Sequence, residues 1–418
     1  MDKTEYIKSL KNVKLVLGNG FDLHCGLRTK YSDFFAINTE KQKYINIQTS
    51  FKNYMYSHNN EPDFGSLNIK EINSWDVFFA INNLQEDPID KWNWCDIEKN
   101  ILLSLKGAEK SEQSQATDMR PVIYWDTLCN YNVSTQEDEG IVNLYMQCFL
   151  QKRRNSLNTH LSFYEFLLNE LKYFEKKFGN FVYSQLHDLY LENSNKSNTF
   201  LNTKYINTSI ATIECLSNID NVCQIDTFNY SYIEDEKIKP LLNHINGDRI
   251  NPIFGIDTNS FESKDPRFIF TKTSRRMDLD TVEDEITKNK DFDNLIVYGH
   301  SLNEADYSYF FPMFDKLKLL DSTANGVIVF AYSVYDEEKR DKITANQRQN
   351  VVNIISAYAK SKNVSDAPRV LDSLTTQKKV IFYEIDEVYA PGYSHVEDLF
   401  DDGDKLANQA NWSNQETK

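Results

Sequence analysis

The sequence predicts a doubly wound α/β fold, in which a parallel sheet carries helices on both faces. Short apolar runs support this prediction, at Val13–Leu17, Val222–Thr227, Leu295–Tyr298, Val327–Tyr332 and Val380–Tyr383. Each run is rich in Val, Ile, Phe or Tyr and does not alternate with polar residues, as is typical of strands buried on both faces. Segments of helical length separate the last three runs, so the C-terminal third is predicted to be β-α-β-α-β.

The chain between the first two predicted strands is far longer than a single crossover requires, so it must contain structure of its own. Within it, apolar residues recur at steps of three and four, which is the spacing of an amphipathic helix. These residues are Leu167, Leu171, Phe174, Phe178, Phe181 and Val182. We therefore predict that residues 36–215 form a mostly helical insertion, and that residues 1–35 and 216–418 form the domain that contains the sheet.

Composition limits the class of protein. The chain has 418 residues, of which 40% are hydrophobic and 13% aromatic, so it is too rich in core-forming residues for a disordered protein. With 46 Lys and Arg against 62 Asp and Glu, its formal net charge is −16. Duplex nucleic acids and anionic membranes attract basic surfaces, so neither is predicted as a partner.

The N-terminal segment and the cysteines bear on location. Residues 1–14 carry charges throughout and lack the apolar core of a secretion signal. No apolar run approaches the roughly 20 residues that a membrane-spanning helix needs. The cysteines are scattered, without a Cys-x-x-Cys pair or a zinc-ligand spacing, so we expect free thiols. Together these features predict a soluble, cytoplasmic protein.

The segment that follows the first predicted strand reads Gly18-Asn19-Gly20-Phe21-Asp22. Glycines let backbone N–H groups approach an anion, and the positive end of a following helix favours the same place. This is how α/β folds bind a diphosphate. A single Gly-x-Gly turn also serves backbone conformation alone, so the motif by itself fits both interpretations.

Polar residues follow the later predicted strands as well. Thr227 and Asn229 end the second run, His244 lies farther along the chain, and Gly299–Leu302 ends the third run. Ligands of open parallel sheets bind beyond the carboxyl ends of the strands, so these residues are predicted to share one crevice with the glycine turn. The alternatives are that Asn229 caps a turn and that His244 is structural.

In this order the motifs resemble the AbiH family of bacterial phage abortive-infection proteins. The resemblance rests on Gly18–Leu23 with Gly26-Leu27, Thr29, Tyr31 and Asp33-Phe34, and then on Phe228–Tyr230, His244-Ile245-x-Gly247, Gly255–Asp257, and Gly299–Leu302 with Asp306. It covers residues 14–35 and 222–315 and is silent over most of the predicted insertion. The resemblance implies a role in phage defence.

That family is in turn distantly similar to sirtuin-like domains, which bind NAD on a Rossmann-like sheet and cleave its nicotinamide–ribose bond. By this resemblance the glycine turn holds the diphosphate, Asn229 orders the ribose and the attacking water, and Gly299–Leu302 contact the adenosine ribose. The implied NAD-binding residues are Gly18, Asn19, Gly20, Phe21, Asp22, Thr227, Asp257, Gly299, His300 and Ser301.

The function implied by this resemblance is a phage-defence effector that hydrolyses NAD+ to ADP-ribose and nicotinamide, with NAD as the substrate and no metal. Asn229 and His244 are the expected catalytic residues, and Asp22 or Asp257 would stabilise developing charge or bind a ribose hydroxyl. A toxic hydrolase must be silent in healthy cells. We therefore expect a homo-oligomer, a sensor or activator protein, or both.

The chain departs from the family pattern beside the expected base. The pattern places a His directly before the glycine, whereas this chain has Asn246 there and His244 two residues earlier. The paired cysteines of the sirtuin zinc ribbon are absent from the sequence, which disfavours protein deacetylation. The alternative function is a catalytically degenerate NAD- or nucleotide-binding sensor, or a scaffold subunit of a defence complex.

For two other segments the sequence favours a structural or surface role over a catalytic or binding role. The stretch from Trp92 to Glu98 matches a Trp-x-Asp-x-Glu-like segment of the family, but paired tryptophans near a helix start favour a core and cap role. Lys272, Arg275 and Arg276 form a basic cluster in an acidic chain. A phosphate contact and a solvated or partner-facing surface are both open for it, and the sequence favours the surface.

Overall fold

The computed structural model describes residues 2–57, 62–82, 97–106, 136–191, 200–278, 290–334, 336–364 and 367–385. Within these ranges the chain forms an α/β fold on a six-stranded sheet. The strands are β1 (Val13–Leu17), β2 (Val222–Thr227), β3 (Leu242–His244), β4 (Asn294–Tyr298), β5 (Val327–Tyr332) and β6 (Val380–Glu384). Every neighbouring pair is parallel, in the order β3-β2-β1-β4-β5-β6. This is the strand order of Rossmann-like dinucleotide-binding folds, which confirms the predicted fold class.

The sheet contains a short strand that the sequence does not predict. The predicted apolar runs coincide with β1, β2, β4, β5 and β6, whereas β3 has three residues and is too short to show a period. The chain leaves β1 for β2 and later returns to β4 on the other side of β1. Leu17 therefore lies beside Thr227 in one direction and Tyr298 in the other. Folds of this order bind ligands beyond the carboxyl ends of the strands at this reversal.

Helices precede β1, fill the long connection after it, and lie between β3 and β4 and in the crossovers after β4 and β5. They are α1 (Lys3–Ser9), α2 (Asn19–His24), α3 (Tyr31–Phe35), α4 (Asn38–Tyr56), α5 (Ser74–Asn82), α6 (Ile97–Lys106), α7 (Gln136–Ser156), α8 (Phe163–Leu191), α9 (Phe200–Leu216), α10 (Lys272–Arg276), α11 (Tyr307–Lys316), α12 (Arg340–Ser361) and α13 (Ala367–Thr376). Among the described helices, none combines the length and apolar character needed to cross a bilayer.

Alternate residues of the central strands enter different cores, because successive side chains of a strand point to opposite faces. Leu15 and Leu17 pack into the core that also contains residues of α1 and α9. Val16 packs into the core formed with α11 and α12. Helices therefore cover both faces of the sheet, which explains why the strand sequences are apolar without alternation.

A third core joins the helices after β1 to the loops that follow β2 and β3. Its α8 members include all the residues whose spacing predicts that helix, and each of them is buried. Tyr230, Phe254 and Phe270 contribute to the same cluster from the sheet side. The helical region therefore packs directly onto the segments at the carboxyl edge. The division of the chain into two domains stays a prediction.

Lys14 lies in the middle of the buried strand β1, where an unpaired charge would be strongly unfavourable. Its ammonium is 2.5 Å from Asp226 Oδ2 on β2. Asp226 Oδ1 also accepts from the side-chain amides of Gln224, at 2.6 Å, and Asn243, at 2.8 Å. The buried lysine is thus compensated by a carboxylate that is itself hydrogen-bonded.

Glu175 and Arg275 form a buried ion pair that ties α8 to α10, with both N···O distances at 2.8 Å. We expect Arg275→Met to destabilise the protein by about 3–5 kcal/mol, because it leaves a buried carboxylate without its cation. Urea unfolding at neutral pH measures this change.

The matched control is Lys172→Met. Lys172 on α8 pairs with Asp278, just after α10, at 3.1 Å, but its side chain is 43% exposed. We expect that variant to lose no more than about 1 kcal/mol. The double change Glu175→Leu with Arg275→Met should be less damaging than Arg275→Met alone. Equal losses of stability in Arg275→Met and Lys172→Met would contradict the assignment of Glu175 and Arg275 as a buried ion pair.

Candidate functional site

The turn after β1 packs directly against the loop after β4. The N–H groups of Gly18 and Gly20 donate to the carbonyls of Tyr298, at 2.9 Å, and Gly299, at 2.8 Å. A Cβ on Gly18 would lie 2.4 Å from the Cα of His300, and a Cβ on Gly20 would lie 2.8 Å from the Cα of Gly299. Gly299 has φ +66°, a conformation that favours glycine. The contact between two backbones requires these glycines, and it uses two of the N–H groups expected to bind a diphosphate.

Asp22 lies in the first turn of α2 and holds the residues that follow β2. Its Oδ1 accepts from Ser231 Oγ at 2.7 Å, Asn229 Nδ2 at 3.1 Å and Tyr205 OH at 3.3 Å. Asn229 Nδ2 also donates to the Gly18 carbonyl at 3.0 Å. Both amide hydrogens of Asn229 are therefore used, and its Oδ1 is the group left to accept from a ligand.

The Asp22 carboxyl group is buried and its two oxygens differ in their hydrogen bonding. The residue is 1% exposed, and among the described residues its Oδ2 is buried without a hydrogen-bond partner. Burial raises the pKa of Asp22 to about 7, although the hydrogen bonds from Ser231, Tyr205 and Asn229 lower it. A carboxyl that exchanges a proton near neutral pH, at the edge of a sheet where ligands bind, is a feature of functional sites.

His244, the last residue of β3, lies beside Asn229. Its Nδ1 is 3.1 Å from the backbone carbonyl oxygen of Asn229. Since a carbonyl can only accept, Nδ1 carries the proton in the neutral ring and Nε2 carries the lone pair. The ring of Tyr232 lies parallel to it, with 6.0 Å between centroids and 10° between planes. The structure thus brings the two predicted catalytic residues into direct contact.

His300, predicted to bind NAD, is enclosed in the loop after β4. Its Nδ1 accepts from the N–H of Leu302 at 2.8 Å, and its Nε2 lies 3.6 Å from Asp306 Oδ2. Burial lowers the pKa of His300 to about 4, so the ring is neutral at physiological pH. Its ring packs edge-on against Phe228, with centroids 4.4 Å apart. His300 therefore connects the loops after β4 and β2.

The favoured prediction that the α10 basic cluster forms a solvated surface is wrong. Lys272 and Arg275 are each 3% exposed. The Lys272 ammonium lies 3.0 Å from Glu98 Oε1 on α6 and also pairs with Asp306. Burial acts to lower the pKa of Lys272, but Asp306 and Glu98 outweigh it and raise that pKa. Counter-ions supplied by distant parts of the chain allow these cations to be buried.

Arg276, the last residue of α10, lies beyond β3. Its Nε donates to the Ile245 carbonyl at 3.0 Å, and its Nη2 donates to Asn246 Oδ1 at 3.2 Å. The guanidinium lies over the ring of Tyr309, 5.5 Å from the centroid. Asn246, which occupies the position of the family's histidine, therefore accepts from a cation.

The remaining predicted residues have local partners. Thr227 Oγ1 accepts the N–H of Asn229 at 3.1 Å, and Phe21 is 1% exposed in the sheet core. Asn19 Oδ1 accepts from Thr29 Oγ1 at 2.7 Å. Asp257 caps a short turn by accepting the N–H of Asn259 at 2.8 Å, and Ser301 is exposed. Their roles in NAD binding stay predictions.

Sequence reasoning did not find Ser231 or Tyr205, which bind Asp22. Ser231 lies two residues after Asn229, with a bend at Tyr230 between them, so no regular alternation of side chains points to it. Tyr205 comes from α9, and nothing in the periodicity of that helix indicates a contact with the glycine turn. Glu98, in the first turn of α6, pairs with Lys272. Trp92, Trp94 and Asp96 of the same motif lie outside the described residues.

A cleft of about 360 Å³ lies away from these residues, between α7 and α8, and is lined in part by Arg153, Glu170 and Tyr173. Arg153 and Glu170 are paired at 2.9 Å within it. Across the part of the chain that the structure describes, no group of three or more His, Cys, Asp and Glu residues is arranged to hold a metal ion.

The backbone contact leads to a prediction for Gly18→Ala. Because a Cβ there would collide with backbone atoms 2.4 and 2.6 Å away, we expect a loss of stability of at least about 3 kcal/mol in urea unfolding. The control is Gly65→Ala, whose Cβ would meet only the Asp63 side chain, at 3.0 Å and beyond. A Gly18→Ala protein as stable as the control would show that the two loops separate easily.

The pKa of Asp22 leads to a second prediction, for Asp22→Asn. The carboxyl binds its proton more tightly in the folded protein than in the unfolded chain, where the pKa is about 3.9. Its contribution to stability is therefore complete below pH about 4 and is lost as the pH rises to about 7, a change of roughly 4 kcal/mol. Asparagine resembles the protonated carboxyl, so the variant's stability relative to wild type should rise over this range.

Asp76→Asn is the control for that measurement. Burial acts to raise the pKa of Asp76, but Lys43 and Lys177 hold it at about 2. The ionised Asp76 carboxyl contributes stability above its unfolded pKa, and this contribution is lost only as the pH falls toward 2. The change in unfolding free energy caused by Asp76→Asn should therefore be constant between about pH 5 and 7. Urea unfolding across that range compares the two. Parallel profiles for both variants would contradict the raised pKa of Asp22.

The family model for bacteriophage abortive infection AbiH matches residues 15–325, which run from β1 past α11 and include every site residue discussed above. No curated protein and no solved structure was found to match the chain. Because the family model matches more than half of its length, the chain belongs to the AbiH family of bacteriophage abortive-infection proteins.

Proposed function

We propose that this protein acts in bacteriophage abortive infection by hydrolysing NAD+ to ADP-ribose and nicotinamide. Family membership supports the defence role. One observation supports the proposal of hydrolysis. The Asn229 side-chain amide is held between the Gly18 carbonyl and the Asp22 carboxyl, and the His244 ring contacts the backbone carbonyl of Asn229. The group lies beside the reversal of strand order, where sheets of this kind bind dinucleotides.

Hydrolysis of NAD+ breaks the bond between ribose C1′ and the ring nitrogen of nicotinamide. The electron pair of that bond goes to the ring nitrogen, which is positively charged in NAD+, so nicotinamide leaves as a neutral molecule without an acid. The oxygen of water forms a new bond to C1′, and its proton passes to a base. The protein must orient the ribose, admit one water and stabilise an oxocarbenium-like transition state.

Asn229 and His244 match two of these tasks. The Asn229 Oδ1 is fixed in direction because both Nδ2 hydrogens have partners, so it can accept from a ribose hydroxyl or from the attacking water. We propose that His244 Nε2, which carries the lone pair of the neutral ring and is buried in this structure, takes the proton of that water. Asp22 is too deeply buried to touch a substrate and acts through Asn229 as a positioning residue.

The proposal includes control of the activity. Unregulated hydrolysis of NAD+ would deplete a healthy cell, so we propose that assembly of copies of this chain, or a sensor or activator protein, switches the activity on. NAD+ is the proposed substrate, no metal takes part, and neither nucleic acid nor membrane is a partner. The proposed location is the cytoplasm.

A binding role without turnover is the second candidate. It is favoured by Asn246, whose Oδ1 accepts from Arg276 at the position where the family pattern has a histidine. The N–H groups of Gly18 and Gly20 are also used within the protein. In this case the same crevice would bind a nucleotide and report its level to a defence complex.

Asn229→Ala tests the hydrolase. We expect cells that express the wild-type protein under phage challenge to lose NAD+ and accumulate nicotinamide, and we expect Asn229→Ala to reduce that rate by a factor of about 100 or more, because the water is no longer oriented. Chromatography of cell extracts over time measures both compounds. His244→Gln should reduce the rate as well, since it removes the base.

The control is Asn218→Ala, which makes the same substitution at a cap near the start of β2, on the opposite edge of the sheet. It should deplete NAD+ as the wild type does. Unchanged NAD+ with intact phage resistance in both wild type and Asn229→Ala would exclude the hydrolase. Measurable NAD+ binding by the purified protein would then favour the sensor.

A further inference from the structure

We propose that Arg276 is the anion-binding residue of the crevice and that it takes the diphosphate of a nucleotide ligand. The identity of the nucleotide rests on the proposed function, whereas the anion site itself rests on the contacts of α10. Three basic residues occur in this short helix, and within the described residues two of them pair with carboxylates while the third does not.

Two of the three are already neutralised within the protein. Lys272 lies between the carboxylates of Glu98 and Asp306. Arg275 makes a two-pronged ion pair with Glu175. Their charges are balanced, and a ligand would have to displace a buried carboxylate to reach either one. Neither residue is available to bind an anion.

Arg276 differs from both neighbours. Within the described residues, its hydrogen bonds go only to uncharged acceptors, the Ile245 carbonyl and Asn246 Oδ1. Asp306 and Glu98 act on it only through space, and partial burial lowers the pKa of its guanidinium. A partly buried guanidinium without a contacting carboxylate is unfavourable unless an anion completes it.

The guanidinium is also preorganised. Two hydrogen bonds and the face of Tyr309 hold it in one orientation. Those contacts use Nε and one Nη2 hydrogen, so among the described contacts Nη1 and the second Nη2 hydrogen are left to donate. Arginine binds phosphate oxygens with two parallel N–H donors, and a fixed side chain loses little entropy when it does so.

Arg276 lies at the carboxyl edge of the sheet, close to His244. Asn246 and Ile245, which hold Arg276, directly follow His244 at the end of β3. Tyr309 in turn contacts Phe228, with centroids 5.1 Å apart, and Phe228 contacts His300. A continuous row of side chains therefore runs along the carboxyl edge from the loop after β4 to Arg276. A ligand lying on Asn229 and His244 would reach it.

The hydrogen bonds of the glycine turn support this assignment. The N–H groups of Gly18 and Gly20 donate to the β4 loop, so they cannot at the same time serve a diphosphate. A dinucleotide carries two negative charges at its diphosphate, and a nearby guanidinium favours the binding of such charges. Arg276 supplies that cation from the β3 side of the crevice.

Arg276→Met tests the inference with two probes. ADP-ribose binding is measured by calorimetry on the full chain, and inorganic pyrophosphate binding is measured by the rise in melting temperature that a ligand produces. We expect Arg276→Met to weaken ADP-ribose binding by a factor of about 10–100 and to remove the response to pyrophosphate. Arg276→Lys, which keeps the charge but loses the planar fork, should show an intermediate loss of affinity and guards against misfolding of the first variant.

The matched control is Arg348→Met, which removes an exposed arginine that lies over the ring of Phe382 at 5.6 Å, far along the chain in α12. It should bind both probes as the wild type does. Equal binding by Arg276→Met and wild type would overturn the inference while leaving nucleotide binding intact.

The two proposals fail in different ways. If the wild type responds to pyrophosphate but binds neither ADP-ribose nor NAD+, the proposed function fails, and loss of the pyrophosphate response in Arg276→Met still supports the anion site. If the wild type responds to neither probe, no anion site exists and the inference is overturned.

Discussion

The site depends on the close approach of two backbones, those of the turn after β1 and the loop after β4. Only hydrogen atoms fit between Gly18 and the Cα of His300, or between Gly20 and Gly299. Two hydrogen bonds then close the contact. Because Gly18 is fixed in this way, its carbonyl accepts a hydrogen bond from the side-chain amide of Asn229. Helix α2, which begins directly after Gly18, places the Asp22 carboxyl within hydrogen-bonding distance of the same amide. The geometry of the candidate site therefore depends on the absence of Cβ atoms at Gly18 and Gly20.

Buried charges connect the helical region to this edge of the sheet. Glu98 of α6 pairs with Lys272, and Glu175 of α8 pairs with Arg275, so two helices of the long connection form ion pairs with the short helix α10. Such pairs contribute little net stability compared with apolar contacts, but an incorrect arrangement would leave several charges buried and unpaired. We interpret them as the interactions that select this arrangement of the helical region.

The parts of the fold that the sequence predicts share a physical basis. Strands buried on both faces show continuous apolar runs, and α8 shows a regular apolar stripe, so local patterns predict these strands and this helix. The short strand β3 shows neither, and it pairs only because β2 already lies beside it. The predicted site residues Asn229 and His244 are in contact for a related reason: parallel strands place their carboxyl ends along one edge, so residues that end neighbouring strands must be close.

The sequence by itself determined the class of fold, five of the six strands and the family, because these follow from periodicity and from motifs at strand ends. Only the tertiary structure decided which charges are compensated. Lys272 and Arg276 are similar residues four positions apart, yet one is enclosed by two carboxylates and the other contacts none among the described residues. Likewise, the glycines of the first turn indicate a close approach, but only the folded chain shows that the approaching group is another backbone. Both distinctions depend on residues that are far apart along the chain, and no local pattern records such contacts.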